Sequence, residues 1–188
     1  QTDMKRLIAY SGVVQSGFIL SGMTSGVNGT SASLFYLAAY VIQLIGIFLI
    51  FSAINGELTS NFSMDNLSGL FIENKFLSIC FTIFMLGLAG LPLTSGFVSK
   101  FILITNLWSY EKYILVFALM LSTVAGFYFY LKPIWIAAID KPENSVAKIQ
   151  IKLNEKISIS LLAFTTILIG LFPNILINVS RWVIQNYL

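Results

Sequence analysis

Long apolar stretches alternate with short polar ones along the whole chain. Residues 7–23 and 33–54 are uncharged and mostly apolar. A longer run, 76–108, carries one charge, Lys100, and 113–139 carries only Lys132. The run 157–179 is uncharged, with Pro173 late in it. About 20 apolar residues in a helix cross a hydrocarbon core of about 30 Å. The pattern therefore predicts an all-α, polytopic transmembrane helix bundle: five hydrophobic elements in a single transmembrane domain, 1–188. Barrel strands would alternate over about 10 residues, which these continuous runs do not. Four polar links separate the runs: 24–32, 55–75, 109–112 and 140–156. In the last, Val146, Ile149 and Leu153 recur at helical spacing opposite Lys148, Lys152 and Glu155. That spacing fits a surface amphipathic helix or a solvated loop.

The third run is too long for one straight crossing, because as a helix it would extend roughly 50 Å. It predicts a broken helix, interrupted near 87–96, where Gly87, Gly90, Pro92 and Gly96 cluster. Proline removes a donor and clashes with the preceding turn, and glycine lowers the cost of unwinding. Backbone groups freed at membrane depth need protein or water partners. Thr94, Ser95 and Ser99 bring hydroxyls close to the break.

Composition agrees with the pattern. Of the 188 residues, 57% are hydrophobic and 10% charged. A soluble domain has roughly 25% charged residues. These values exclude a soluble enzyme, a disordered tail and a nucleic-acid binder. With no histidine and one cysteine, Cys80, the chain has no internal disulfide or His/Cys metal site. It opens on Gln1 without a signal-peptide pattern and reads as a fragment of something longer.

Orientation follows the cations. With five crossings, the N-terminus and the second and fourth links share one side. They carry Lys5, Arg6, Lys75, Lys141, Lys148, Lys152 and Lys156, seven in all, against Lys112 and Arg181 on the other. The positive-inside rule places the first group, with the N-terminus, in the cytoplasm and the C-terminus outside.

Candidate chemistry centres on Lys100, eight residues beyond Pro92. A charge within a span costs about 2.5–3.5 kcal/mol on insertion scales. A broken helix bearing a lysine is a pattern of ion-translocating proteins, and a desolvated amine gives up its proton more readily than one in water. The alternative is a side chain that snorkels to a membrane face. Lys132, eight residues before Asp140, fits snorkelling better, and Lys5 fits an interfacial anchor. Gly12 and Ser16 form a small-xxx-small pair, with Gln15 as an interhelical donor.

The opening Gln1-Thr-Asp-Met-Lys5-Arg6-Leu-Ile-Ala-Tyr10-Ser11 resembles the antiporter-like membrane subunits of proton-pumping NADH:quinone oxidoreductase, respiratory complex I. The stretch from Leu88 to Phe101, through Gly90, Pro92, Gly96, Phe97 and Lys100, resembles the broken-helix signature of that family, closest to its subunit N (chain 2) branch. Where the family often shows a second Ser and a His in the first motif, this chain has Gly12 and Gln15.

The resemblance implies a subunit of about fourteen helices built from two inverted repeats, of which this chain would be the C-terminal five. Lys100 would be its channel lysine, with Lys132 and Lys5 as lesser proton-translocation candidates. It implies a proton-translocating, non-redox subunit of the enzyme in a bacterial inner or plasma membrane, with other membrane-arm subunits, the lipid bilayer and protons as partners. Flavin, iron–sulfur clusters and quinone would belong to partner subunits, with no cofactor in this chain. A subunit of a multisubunit cation/proton antiporter shares the same signatures, and a truncated structural remnant is the third reading.

Overall fold

The computed structural model describes residues 3–55, 63–139 and 151–187. Among these are eight helices: α1 (Met4–Met23), α2 (Gly26–Asn55), α3 (Leu70–Glu73), α4 (Lys75–Ala89), α5 (Ser95–Ser109), α6 (Tyr113–Ile139), α7 (Leu153–Leu171) and α8 (Asn174–Tyr187), with a 3-10 turn at Met64–Leu67. Gly26–Ile54, Tyr113–Ile139 and Leu153–Leu171 are each long and apolar enough to cross a membrane. The chain is an integral membrane helix bundle.

The broken element is present. The helices α4 and α5 have 15 residues each, about 22 Å apiece, so only in succession do they cover a hydrocarbon core. The break has a defined C-cap. Gly90 takes the left-handed conformation (φ +85°), its N–H bonds Gly87 O, and the Leu91 N–H bonds Leu86 O. This is the Schellman arrangement, with Pro92 two residues past the cap at Gly90. Leu93 also has positive φ (72°). Thr94 then caps α5, accepting from the Phe97 N–H at 3.4 Å.

Three expected boundaries move. The polar link 24–32 is nearly all helix, since α2 begins at Gly26 rather than residue 33. Its hydroxyls are absorbed by the backbone: Thr30 bonds Gly26 O and Ser31 bonds Val27 O, and Ser33 crosses to Ile19 O. Gly22 and Gly29 let α1 and α2 approach there, since a Cβ on Gly29 would overlap the Gly22 carbonyl. The run 157–179 is two helices, because α7 stops at Leu171 and α8 starts at Asn174. Pro173 forces the preceding Phe172 out of the α region (φ −126°, ψ 65°). The first helix begins at Met4, not residue 7, because Asp3 caps it by accepting from the Arg6 N–H. Of the surface helix considered for 140–156, Val146, Lys148 and Ile149 lie outside the described residues. Lys152, Leu153 and Glu155 belong to the start of α7, where Glu155 accepts from the Lys152 N–H.

The central element is α2, packed by α1, α4, α5, α7 and α8. Lipid tails are as apolar as leucine, so close packing rather than water exclusion drives helix association. The core is accordingly aromatic and interdigitated: Phe51, Phe81 and Phe84 are fully buried beside Ile47 and Ile50, and Gly46 makes room for the Phe84 ring. The outer faces stay apolar, with Ile114, Phe117, Val124 and Tyr128 of α6 exposed. An isolated bridge between Asp3 and Ser63 brings the start of α1 and the segment before α4 to one end of the bundle.

Two substitutions test this packing. Gly90→Ala imposes a left-handed alanine, and its Cβ would lie 3.1 Å from the Lys100 side chain. The expected loss is about 1–3 kcal/mol, read as a lower midpoint of thermal unfolding in detergent. On α7, a Cβ on Gly170 would strike the Leu93 and Thr94 backbone. Gly170→Ala is expected to lose about 1–3 kcal/mol by overpacking in the same assay, whereas Gly17→Ala, with nothing within 4 Å, leaves the midpoint unchanged or raises it.

Candidate functional site

The buried stripe of α5 runs through Ser95, Gly96, Ser99, Lys100, Leu103 and Leu107. Lys100 is therefore on the face that meets α2, not at an edge. Among the described residues it is the only buried charged side chain, 6% exposed. Long side chains on a helix lean toward its N-terminus, and here that direction leads back to the break. The Nζ donates to Leu88 O at 3.0 Å and to Ala89 O at 3.3 Å.

This contact completes the end of α4. A helix leaves its last four carbonyls without intrahelical partners. The Schellman turn satisfies Leu86 and Gly87, and Lys100 satisfies Leu88 and Ala89. A charged hydrogen bond contributes about 1.5–3 kcal/mol, and the negative end of a helix adds about 0.3–1 kcal/mol. Together these match the insertion cost of about 2.5–3.5 kcal/mol. The ring of Phe18, from α1, lies 5.3 Å from the amine, a distance that favours the cation over the aromatic face.

Polar groups surround the lysine at membrane depth. Gln43 of α2 donates to Ser95 Oγ at 2.9 Å. Gln15 of α1 donates to the Tyr130 hydroxyl at 2.9 Å and accepts from the Tyr36 hydroxyl. Two cavities reach Lys100. One, of about 250 Å³, opens between α1, α5 and α6 and is lined by Tyr10, Gln15, Phe18, Ser122 and Tyr130 among others. The second, of about 10 Å³, lies among Tyr36, Tyr40, Gln43 and Ser99.

The structure brings Gly87, Gly90 and Gly96 beside the lysine, while Pro92 is exposed and lines neither cavity. Gly87 lies against the Gln43 amide, and Gly96 sits against the Gly87 carbonyl where a Cβ would overlap it. Lys132 and Lys5 are elsewhere. Lys132 is exposed on α6 and Lys5 is half-buried at the start of α1, and neither lines either cavity. Gln15 does donate across helices, but the small-xxx-small face is only half formed. Gly12 meets the Tyr40 hydroxyl, while Ser16 is exposed and bonds its own helix at Gly12 O. Sequence reasoning missed Gln43, Phe18, Tyr36 and Tyr130. A signal existed for Gln43, the lone amide in the run 33–54, since an amide in a span is usually bonded across helices. The aromatics carried none, because rings at helical spacing are ordinary packing.

The family model described as NADH:quinone oxidoreductase/Mrp antiporter, TM matches residues 1–126. NADH-quinone oxidoreductase subunit N of Nitrosomonas europaea is 34% identical over 188 residues, covering 99% of this chain and 39% of that protein. NADH-quinone oxidoreductase subunit N 1 of Symbiobacterium thermophilum is 36% identical over 138 residues, 73% of this chain and 28% of that protein. The chain thus spans about two-fifths or less of the length of these relatives. A chain of respiratory complex I from Thermus thermophilus superposes with a TM-score of 0.83 at 22% identity, covering 95% of this chain and 40% of that one. A chain of the Mrp complex from a Dietzia species gives 0.76 at 22% identity, covering 92% and 40%. At that identity the two structures establish the fold. The family is shown by the match over residues 1–126: this chain belongs to the NADH:quinone oxidoreductase/Mrp antiporter transmembrane family.

Proposed function

We propose that the chain is part of a proton-translocating membrane subunit of NADH:quinone oxidoreductase, and that Lys100 is its proton-carrying group. The observation that carries this reading is the buried amine capping the broken helix through Leu88 O and Ala89 O. An ammonium has three donors, and the two carbonyls occupy two of them. The third proton can leave without unmaking the cap, because a neutral amine still offers two N–H groups. The site therefore tolerates both protonation states with little rearrangement of the backbone, as a relay requires. Redox energy released in partner subunits, which would hold the flavin, iron–sulfur clusters and quinone, would bias that exchange through the field along the membrane arm.

The sidedness follows the cations. The end bearing Lys5, Arg6 and Lys75 faces the cytoplasm in this reading, with the C-terminus outside and the inner or plasma membrane of a bacterium as the location. The bridge between Asp3 and Ser63 supports a shared side for the first two of these clusters. Bacterial relatives named as subunit N support the choice of complex. Likeness to a chain of an Mrp complex favours a second reading, a subunit of a multisubunit cation/proton antiporter. The two differ in whether NADH-dependent quinone reduction co-purifies with the full-length protein.

In the full-length subunit, Lys100→Ala is expected to abolish or strongly reduce NADH-driven proton pumping while the complex still assembles. Lys132→Ala and Lys5→Ala, which leave both cavities intact, are expected to keep most of it. Dye-quench assays on inverted membrane vesicles, with assembly checked on native gels, measure this. Full pumping in Lys100→Ala contradicts the relay.

A further inference from the structure

Two of the residues around Lys100 have no part in capping the break, yet they stand at a boundary. Phe18 lines the larger cavity and Tyr36 the smaller one. Their rings stack on each other, with centroids 5.4 Å apart and planes 4° from parallel. Among the described residues, only Gln15 and Lys100 line both cavities. The stack is thus a wall with a compartment on each side, and the lysine reaches both. The compartments differ in kind. The larger has room for several waters but mostly apolar walls. The smaller, at about 10 Å³, is close to the roughly 10–15 Å³ that one water needs, and Tyr36, Tyr40, Gln43 and Ser99 supply polar partners there.

The wall is also held in place. Phe18 is 1% exposed and Tyr36 3%. The Tyr36 hydroxyl donates to Gln15 Oε1, and the Gln15 amide donates to Tyr130. One amide thus ties α1, α2 and α6 together beside the stack. An amide passes on no proton readily, so the Tyr36–Gln15–Tyr130 chain fixes positions without itself offering a bypass. The Phe18 ring meanwhile lies over the amine at 5.3 Å.

We propose that the stacked pair Phe18–Tyr36, pinned by Gln15, is the partition that keeps the two compartments at Lys100 apart, so that a proton crosses between them only by way of the lysine. Phe18 is a positioning residue in this scheme. The inference rests on the relay reading of Lys100. In a relay, a leak-free barrier beside the carrier is as necessary as the carrier, since water continuous from one side to the other would dissipate the gradient.

The test uses the assembled complex containing the full-length subunit, in sealed vesicles. Two quantities are read: NADH-driven pumping, and the passive decay of an imposed pH gradient without NADH. The variants are Phe18→Ala, the milder Phe18→Leu, Phe18→Tyr, Lys100→Ala and the double variant Phe18→Ala/Lys100→Ala. The partition predicts a several-fold faster passive decay in Phe18→Ala, and in Phe18→Leu should the alanine variant fail to assemble. It predicts near-normal decay in Phe18→Tyr, which keeps the ring. It also predicts that the leak persists when Lys100→Ala is added, because water through the opened wall bypasses the lysine, whereas a leak carried by the lysine itself would disappear. Unchanged decay in both Phe18→Ala and Phe18→Leu, an equal leak in Phe18→Tyr, or a leak that disappears in the double variant overturns the partition while Lys100→Ala alone still loses pumping. Full pumping in Lys100→Ala alone overturns the relay itself and the partition with it.

Discussion

The amine of Lys100 bonds the carbonyls of Leu88 and Ala89, and the local geometry of the break and of both cavities is arranged around that contact. A helix interrupted inside a bilayer exposes carbonyls where no lipid can meet them. A lysine inside a bilayer carries donors that need the same relief. Here each resolves the other's deficit. The Schellman turn at Gly90 accounts for two of the four terminal carbonyls and the lysine for the remaining two. The break therefore does not require the lysine to remain charged, only to keep two N–H donors.

Packing around this contact uses small residues where backbones must come close. Gly96 approaches the Gly87 carbonyl, bringing the two half-helices together, and Gly170 brings α7 onto the irregular segment at Leu93 and Thr94. Gln43 reaches from the central helix to Ser95 at the start of α5. The irregular segment is thus held by protein at Gly90 and Thr94, which are buried, while Pro92 and Leu93 stay exposed; protein contact is the condition under which non-helical chain is tolerated at membrane depth.

Much of this was legible in the sequence. Length against bilayer thickness required the break in 76–108, and the Gly/Pro cluster located it to within a few residues. Burial of Lys100 was not decidable from its own neighbourhood, because a snorkelling lysine and an inward one have the same local sequence. The period of the buried stripe on α5, Ser95–Ser99–Leu103–Leu107 with Lys100 alongside, distinguishes them, and that stripe shows only once the start of the helix is known. Polar residues misled in the opposite sense at 24–32, where serine and threonine hydroxyls bond their own helix and let it continue. Pro173 was visible but underweighted, for its effect falls on Phe172, the residue before it. Phe18 and Tyr36 were beyond reach, since their meaning lies in which cavity each faces.

The most direct measurement of the central claim is an electron cryo-microscopy map of the membrane complex containing the full-length chain, at a resolution that shows side chains and backbone carbonyls. The account predicts a helix interrupted between Ala89 and Ser95, with the Lys100 amine within hydrogen-bond distance of the Leu88 and Ala89 carbonyls. A continuous helix through that segment, or a Lys100 side chain directed at lipid, would contradict it.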